Sequence, residues 1–404
     1  ALVTIAIGAF VAALAWSTTV SPTFAFVMGG GDGFDALFRS AQSVTALAVV
    51  VAVMVAALAV RGKAGFVAAG FGSASLALAT SVDFSADIHV RTLGAGLILG
   101  GCAALAGSSR LLQCAIVVGS FSAIAAEGPL QSYPRRYADY LETDQQTYLL
   151  VLIGVFAVLL VISLWASPFE GVPHPTLPNG RIMLVGIAIA VGGLVLHWLF
   201  ERSLLSLGSG DASQGRWLLG VAVVPLLIGA AFALPAASGA VILGALAYIA
   251  TTTTLSFTTS TALEFVAALL LGAVVGWRWP SALTGLTLLV VVAAAGILSD
   301  SSIDVVWSIS QIVVLPFAIG LVYASLLPTN APTALISVTA PVVVSVPIVA
   351  DFGWTAYTPL TSTLTPTFSP SAWMWASTAL SVLAVISAGL ALIVLRRREP
   401  LPTK

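Results

Sequence analysis

The chain alternates between long apolar runs and short polar breaks from end to end. The runs fall at about 2–20, 39–60, 64–82, 90–108, 110–130, 146–166, 181–200, 216–234, 236–252, 258–277, 281–299, 304–327, 332–350 and 372–395, and Gly, Pro, Ser or charged residues separate them. A helix that crosses the hydrocarbon core needs about 20 apolar residues. Backbone exposed to lipid must satisfy its own hydrogen bonds, which leaves helices or closed barrels. These runs are too long and too continuously apolar for the alternating strands of a barrel. The pattern therefore predicts an all-α polytopic membrane protein with about fourteen transmembrane helices. The run at 236–252 is short. The run at 332–350 carries Pro341 and Pro347, which predict a kinked or re-entrant segment. Residues 3–20 are expected to be the first span rather than a signal peptide, because no basic stretch precedes them.

Composition agrees. Of 404 residues, 59% are hydrophobic and 8% charged. A soluble domain carries roughly 25% charged residues, and so few could not form a water-facing surface. Membrane lipids are thus the first expected partners, and nothing in the pattern calls for nucleic acid. Cys102 and Cys114 both lie in apolar runs and read as small buried residues. No metal-ligand spacing, phosphate loop, dinucleotide fingerprint or nucleophile elbow occurs, so no metal, cofactor or enzymatic site is expected. The Gly-rich stretch 29–33 reads as a turn.

Charge placement sets the expected orientation. With the N-terminus inside, Arg61, Lys63, Arg110, Arg181, Arg278, Arg396, Arg397, Arg398 and Lys404 fall on the inner side. Most acids fall outside, and Arg396-Arg397-Arg398 directly after the last run makes the C-terminus cytoplasmic. The expectation is a multi-pass protein of the cell inner membrane with both termini cytoplasmic. The segment Ser167–Gly180 holds four prolines and reads as a stiff extended linker. The expected domains are a six-helix bundle over 1–166, a Pro-rich cytoplasmic linker over 167–180, an extra helix pair over 181–234, a second six-helix bundle over 235–395, and a basic tail over 396–404. No internal sequence repeat is evident.

Ionisable groups at membrane depth are costly and mark functional positions. Arg91, Glu127 and Glu264 are the candidates for a substrate or proton pathway, and Asp32, Asp35 and His197 for an outer-side polar site. Each has a plainer reading: Arg91 snorkels to headgroups, Glu127 caps a span in water, His197 sits at the interface, and Glu264 serves structure alone. Arg91 and Glu127 lie at similar expected depth on neighbouring spans and could pair at an outer gate. Gly94, Gly96, Gly100, Gly101 and Gly107 allow close helix approach. Pro129, Pro316, Pro341 and Pro347 break helices at depth.

Several of these features resemble the major facilitator superfamily, specifically its fourteen-helix drug–proton antiporter branch. Arg91-Thr92-Leu93-Gly94-Ala95-Gly96 is similar to that family's Arg-x-x-x-Gly-x-Gly element. Glu127-Gly128-Pro129-Leu130 resembles its Gly-Pro element late in the fifth span, and Leu315–Leu321 with the basic tail fits the same branch. The family's loop between spans two and three normally reads Gly-x-x-x-Asp-Arg-x-Gly-Arg. Here it is Val60-Arg61-Gly62-Lys63-Ala64-Gly65, without the Asp, and the first span lacks the family's acid. The resemblance implies a divergent secondary transporter exporting a lipophilic or amphipathic small molecule, with Arg91 as central charge. Two other readings stay open. One is a non-transporting subunit or scaffold bound to other membrane proteins, which the missing Asp favours. The other is a glycosyltransferase acting on a lipid-linked sugar, with Asp32 and Asp35 as catalytic acids.

Overall fold

Predominantly apolar side chains make these segments helical in lipid regardless of amphipathic pattern, because the backbone has no other partner there. In the computed structural model each expected run contains a helix among its described residues. The structure describes residues 1–17, 41–59, 62–82, 87–131, 144–166, 179–205, 219–252, 257–298, 304–344, 346, 348 and 372–398. Among them the helices are α1 Leu2–Ser17, α2 Ala41–Leu58, α3 Gly62–Ser81, α4 Asp87–Ala106, α5 Arg110–Gln131, α6 Asp144–Ala166 and α7 Asn179–Leu205. They continue as α8 Val223–Phe232, α9 Ala236–Thr251, α10 Thr259–Arg278 and α11 Ala282–Ala295. Helix α12 starts at Asp304–Ile309, passes through a π turn at Ser310–Val314 and runs on as Leu315–Leu326; α13 is Ala331–Val343 and α14 Ala372–Arg398. Eight of the helical segments are long and apolar enough to cross a membrane, and six are shorter apolar helices. The chain is a polytopic all-α membrane protein. The linker at 167–178 and the Pro-rich stretch at 351–371 lie outside the described residues.

The local breaks have local causes. Gly107, at φ 52°, closes the tight turn from α4 to α5 in a backbone region that favours glycine. Pro316 brings no N–H and crowds the carbonyl four residues back. Directly before it the ladder widens, and the Leu315 amide donates to the Ser310 carbonyl, five residues away. Helix α13 ends at Val343, so the expected run to 350 is helical only in its first part; at 1.5 Å per residue it spans about 20 Å.

Helix packing shows the repeat that the sequence hides. In the first six helices α1 packs on α4, α5 and α6, α2 on α4, and α3 on α4 and α6. In the last six, α9 packs on α12, α13 and α14, α10 on α12, and α11 on α12 and α14. These pairs are the same with eight added to every label; the second half adds a contact of α9 with α11, and the first adds lesser contacts of α4 with α5 and α2 with α3. Within each half, exchanging the first three helices for the second three reproduces the six main pairs. That nested three-plus-three arrangement is the internal symmetry of major facilitator halves, and the fold is major-facilitator-like. The halves meet through α2 on α13, α5 on α10, and lesser contacts of α5 with α12 and α13 and of α4 with α13. Helix α7 lies over α2 and α13, while α8 packs on α7, α9 and α14.

Small residues fix the equivalent pairs in both halves. A Cβ on Gly96 would lie 2.5 Å from the Ala48 carbonyl oxygen, and one on Gly100 2.6 Å from that of Ala52, so α2 and α4 touch backbone to backbone. A Cβ on Gly72 would lie 2.6 Å from the Gly94 oxygen, and one on Gly101 2.6 Å from the Gly65 oxygen. In the second half Gly272 meets the Phe317 carbonyl and Gly320 that of Leu269, which sets α10 against α12. Lipid supplies no hydrophobic drive between helices, so this close van der Waals contact carries the pairing.

Candidate functional site

The seam between the halves is where the described polar side chains do most. At the end of the molecule that carries the α4–α5 turn, Arg110 of α5 reaches across to two helix ends. Its Nε and Nη2 donate to the Ala324 carbonyl at 3.1 and 2.6 Å, and Nη2 also donates to the Gly276 carbonyl at 3.1 Å. Both carbonyls lie in the last turns of α12 and α10, where the helix leaves its acceptors without intrahelical donors. The guanidinium also sits 5.0 Å from the centroid of the Trp277 ring. One turn on, the fully buried Gln113 pairs its amide with a backbone. Its Nε2 donates to the carbonyls of Thr329 and Gly107, and its Oε1 accepts from the Thr329 amide at 2.9 Å. Thr329 lies in the connection from α12 to α13. Helix α5 therefore clasps the second half by capping the ends of α10 and α12 with Arg110 and holding the α12–α13 connection with Gln113.

The opposite end has a smaller counterpart. Gln42, at the start of α2, donates from Nε2 to the carbonyls of Val343 at 2.7 Å and Val342 at 3.3 Å. These are the last two residues of α13. Again a side chain of the first half caps a helix end of the second.

Between the two clasps the seam is aromatic. Phe121 of α5 stands edge-on to Tyr248 of α9, with centroids 4.8 Å apart, and tilted against Tyr323 of α12 at 5.7 Å. All three are buried. The Tyr323 hydroxyl donates to the Ser337 carbonyl of α13 at 2.8 Å. Among the buried polar atoms without a hydrogen-bond partner are Ser120 Oγ on α5, Gln311 Oε1 in the π turn of α12 and Thr333 Oγ1 on α13. The Gln311 Nε2 donates to the Thr251 carbonyl at 3.3 Å, one turn beyond Tyr248. A buried polar group left unsatisfied costs about 1–3 kcal/mol.

The ionisable residues singled out from the sequence are spread out. Glu127 lies two turns beyond Ser120 on the helical face that also carries Gln113, because residues seven apart on a helix share a face. The next residue, Gly128, approaches Phe257 just before α10. Arg91 shares its face of α4 with Ile98 and Cys102, and the Cys102 Sγ faces Gly8 of α1 and Phe156 of α6. Helix α1 packs along both α4 and α5, whereas those two touch each other little. Trp16, near the end of α1, donates to the Thr92 carbonyl beside Arg91 at 3.2 Å. Glu264 is on the exposed face of α10 with Leu263 and Leu271, away from the face buried against α12. His197 is half-buried near the far end of α7, beside Trp198, over which Arg202 sits at 5.3 Å. Asp32 and Asp35 lie outside the described residues. A search for charge misses Gln42, Gln113, Ser120 and Gln311, which are neutral. The only sequence signal they carry is an amide or hydroxyl inside an apolar run. Among the described residues no His, Cys, Asp or Glu cluster could hold a metal ion.

Comparison with known proteins adds little to this. No protein-family model matches the chain, and no curated protein matches it. Among solved structures, an auto-inhibited peptide transporter of the POT family aligns with a TM-score of 0.49 at 15% identity, over 99% of this chain and 97% of that one.

Proposed function

We propose that the protein is a secondary transporter of the inner membrane that moves a lipophilic or amphipathic solute outward by alternating access, as a divergent relative of the drug–proton antiporter branch. Two six-helix units, 1–166 and 235–395, rock against each other, bridged by 167–180 on the cytoplasmic side. The pair 181–234 steadies the seam, and both termini face the cytoplasm. The observation that carries this reading is the seam itself. Two halves that share their main helix pairs are joined at both ends by side chains on main-chain groups, at bare helix ends and in the turn from α12 to α13. Such contacts break and re-form as units, whereas the backbone-to-backbone glycine contacts inside each half do not. The aromatic cluster between the clasps supports an apolar solute. Glu127, on the α5 face shared with Ser120 and Gln113, is the acid proposed to exchange a proton, and Arg91 is the second candidate for the pathway; Glu264 faces outward with Leu263 and Leu271 and is left out of it.

Paired spin labels test this in a background with Cys102 and Cys114 replaced by alanine. One pair, at Leu111 and Leu283, reports on the clasped end of α5, and a second, at Leu47 and Val305, on the opposite end. In lipid nanodiscs each pair is expected to show two distance populations that shift in opposite senses between pH 5.5 and 8. A single unchanging distribution at both ends would favour a scaffold instead.

A further inference from the structure

Two arginines at the clasped end are used differently. Arg110 donates to the Ala324 and Gly276 carbonyls and sits against the Trp277 ring. Arg278, the next residue after Trp277, lies 5.7 Å from the centroid of the Trp279 ring. Among the described residues nothing accepts a hydrogen bond from it. Its side chain is exposed, and so are both indoles, Trp277 by 41% and Trp279 by 63%. The backbone beneath them is fixed. The Trp279 amide donates to the Val275 carbonyl at 2.7 Å, and the Ser281 amide to Ser325 Oγ of α12 at 3.0 Å. Arg278 thus presents an unspent planar fork of donors from a held position. Below it on the same face of α10, Val274, Leu271 and Leu270 are exposed and apolar.

Charge at this end has one sign. Lys63, Arg110, Arg181, Arg278 and Arg396–Arg398 lie here. Among the described residues the acids, Asp87, Glu127, Asp144, Glu201, Glu264 and Asp304, all lie towards the other end.

We infer that Trp277, Arg278 and Trp279 form a seat for one anionic phospholipid of the leaflet at this end. The phosphate diester accepts two N–H bonds from the Arg278 fork. The indoles, which favour the level between headgroups and acyl chains, lie against the glycerol. The chains run down the stripe of Val274, Leu271 and Leu270. A zwitterionic lipid is disfavoured because its own cation meets a field of cations. A soluble anion lacks the chains that the stripe receives. The inference goes beyond the transporter reading and does not depend on it.

The test is a titration of the purified full chain in detergent with dioctanoyl phosphatidylglycerol, bound lipids being counted by native mass spectrometry. Dioctanoyl phosphatidylcholine and glycerol 1-phosphate are the zwitterionic and the chain-free probes. One phosphatidylglycerol is expected to bind about tenfold more tightly than phosphatidylcholine, and excess glycerol 1-phosphate should not displace it. Arg278→Gln should weaken it about tenfold. Arg278→Lys, which keeps the charge without the fork, should fall between. Trp279→Ala should weaken it about threefold. Arg397→Gln removes the same charge from α14 at the same end and should change binding by about twofold at most. All three altered side chains are exposed, so Tm should hold. Equal affinity for the two lipids, no loss with Arg278→Gln, an equal loss with Arg397→Gln, or displacement by glycerol 1-phosphate overturns the seat. If Trp279→Ala lowers Tm, the two Arg278 variants and the probe series still decide. The spin-label distances read the transporter reading separately, whichever way the lipid titration falls.

Discussion

The two ends of the seam are held by the same device at different strength. At the Arg110 end a guanidinium and a glutamine cap the ends of α10 and α12 and grip the turn to α13. At the Gln42 end one neutral amide caps α13. Hydrogen bonds from a charged donor contribute about 1.5–3 kcal/mol and neutral ones about 0.5–1.5. A helix C-terminus also carries about half a negative charge, which favours a cation over an amide. The Gln42 end is therefore the easier one to open, and the resting molecule is biased to keep its Arg110 end closed.

Replacing Arg110 should break that bias most. Arg110→Ala removes every charge-assisted bond of the clasp and should shift the equilibrium at that end by roughly 2–4 kcal/mol. The Leu111–Leu283 label pair should move to its longer distance. Arg110→Lys should recover only part of this, because an ammonium lacks the planar fork that reaches two carbonyls. Gln113→Leu comes next. It strips the Thr329 amide and carbonyl of their buried partners, at a cost of about 1–3 kcal/mol, seen as a fall in Tm together with opening at the same end. Gly107→Ala, which forces a Cβ into the left-handed turn, should cost about 1–2 kcal/mol and loosen the clasp without touching it. The smallest effect is expected from Gln42→Ala, about 0.5–1.5 kcal/mol, read as opening of the Leu47–Val305 pair. Arg110→Ala with Gln42→Ala sharpens the comparison. Distant independent sites add within about 0.5 kcal/mol. If opening one end closes the other, the double variant should instead return the populations towards those of the parent chain.

The helices were legible because span length is set by the bilayer, and each of the fourteen apolar runs maps onto one of the helical segments among the described residues. The close approach of α4 was legible too, since Gly94, Gly96, Gly100 and Gly101 leave room for little else. The pairing of the halves was not, because packing symmetry requires small residues at crossings and not repeated words in the chain. The clasp was hidden for a different reason. Its acceptors are main-chain carbonyls, and a carbonyl at the end of a helix has no letter of its own. Arg110 counted in the sequence only as a mark of sidedness. The exposure of Glu264 was equally invisible, because one acid in an apolar run does not say which way the helix is turned.

A π turn holds one residue more than the α-helix it interrupts. Removing Val313 would let the ladder close as a plain helix and turn the preceding stretch, Asp304–Ile309, by about 100° about the axis. The same rotation is open to the intact chain if the extra residue migrates along α12 one hydrogen bond at a time. The wide turn is thus a dislocation in an otherwise regular rod, and a dislocation that glides changes which side chains a helix shows to its neighbours while its ends stay where they are.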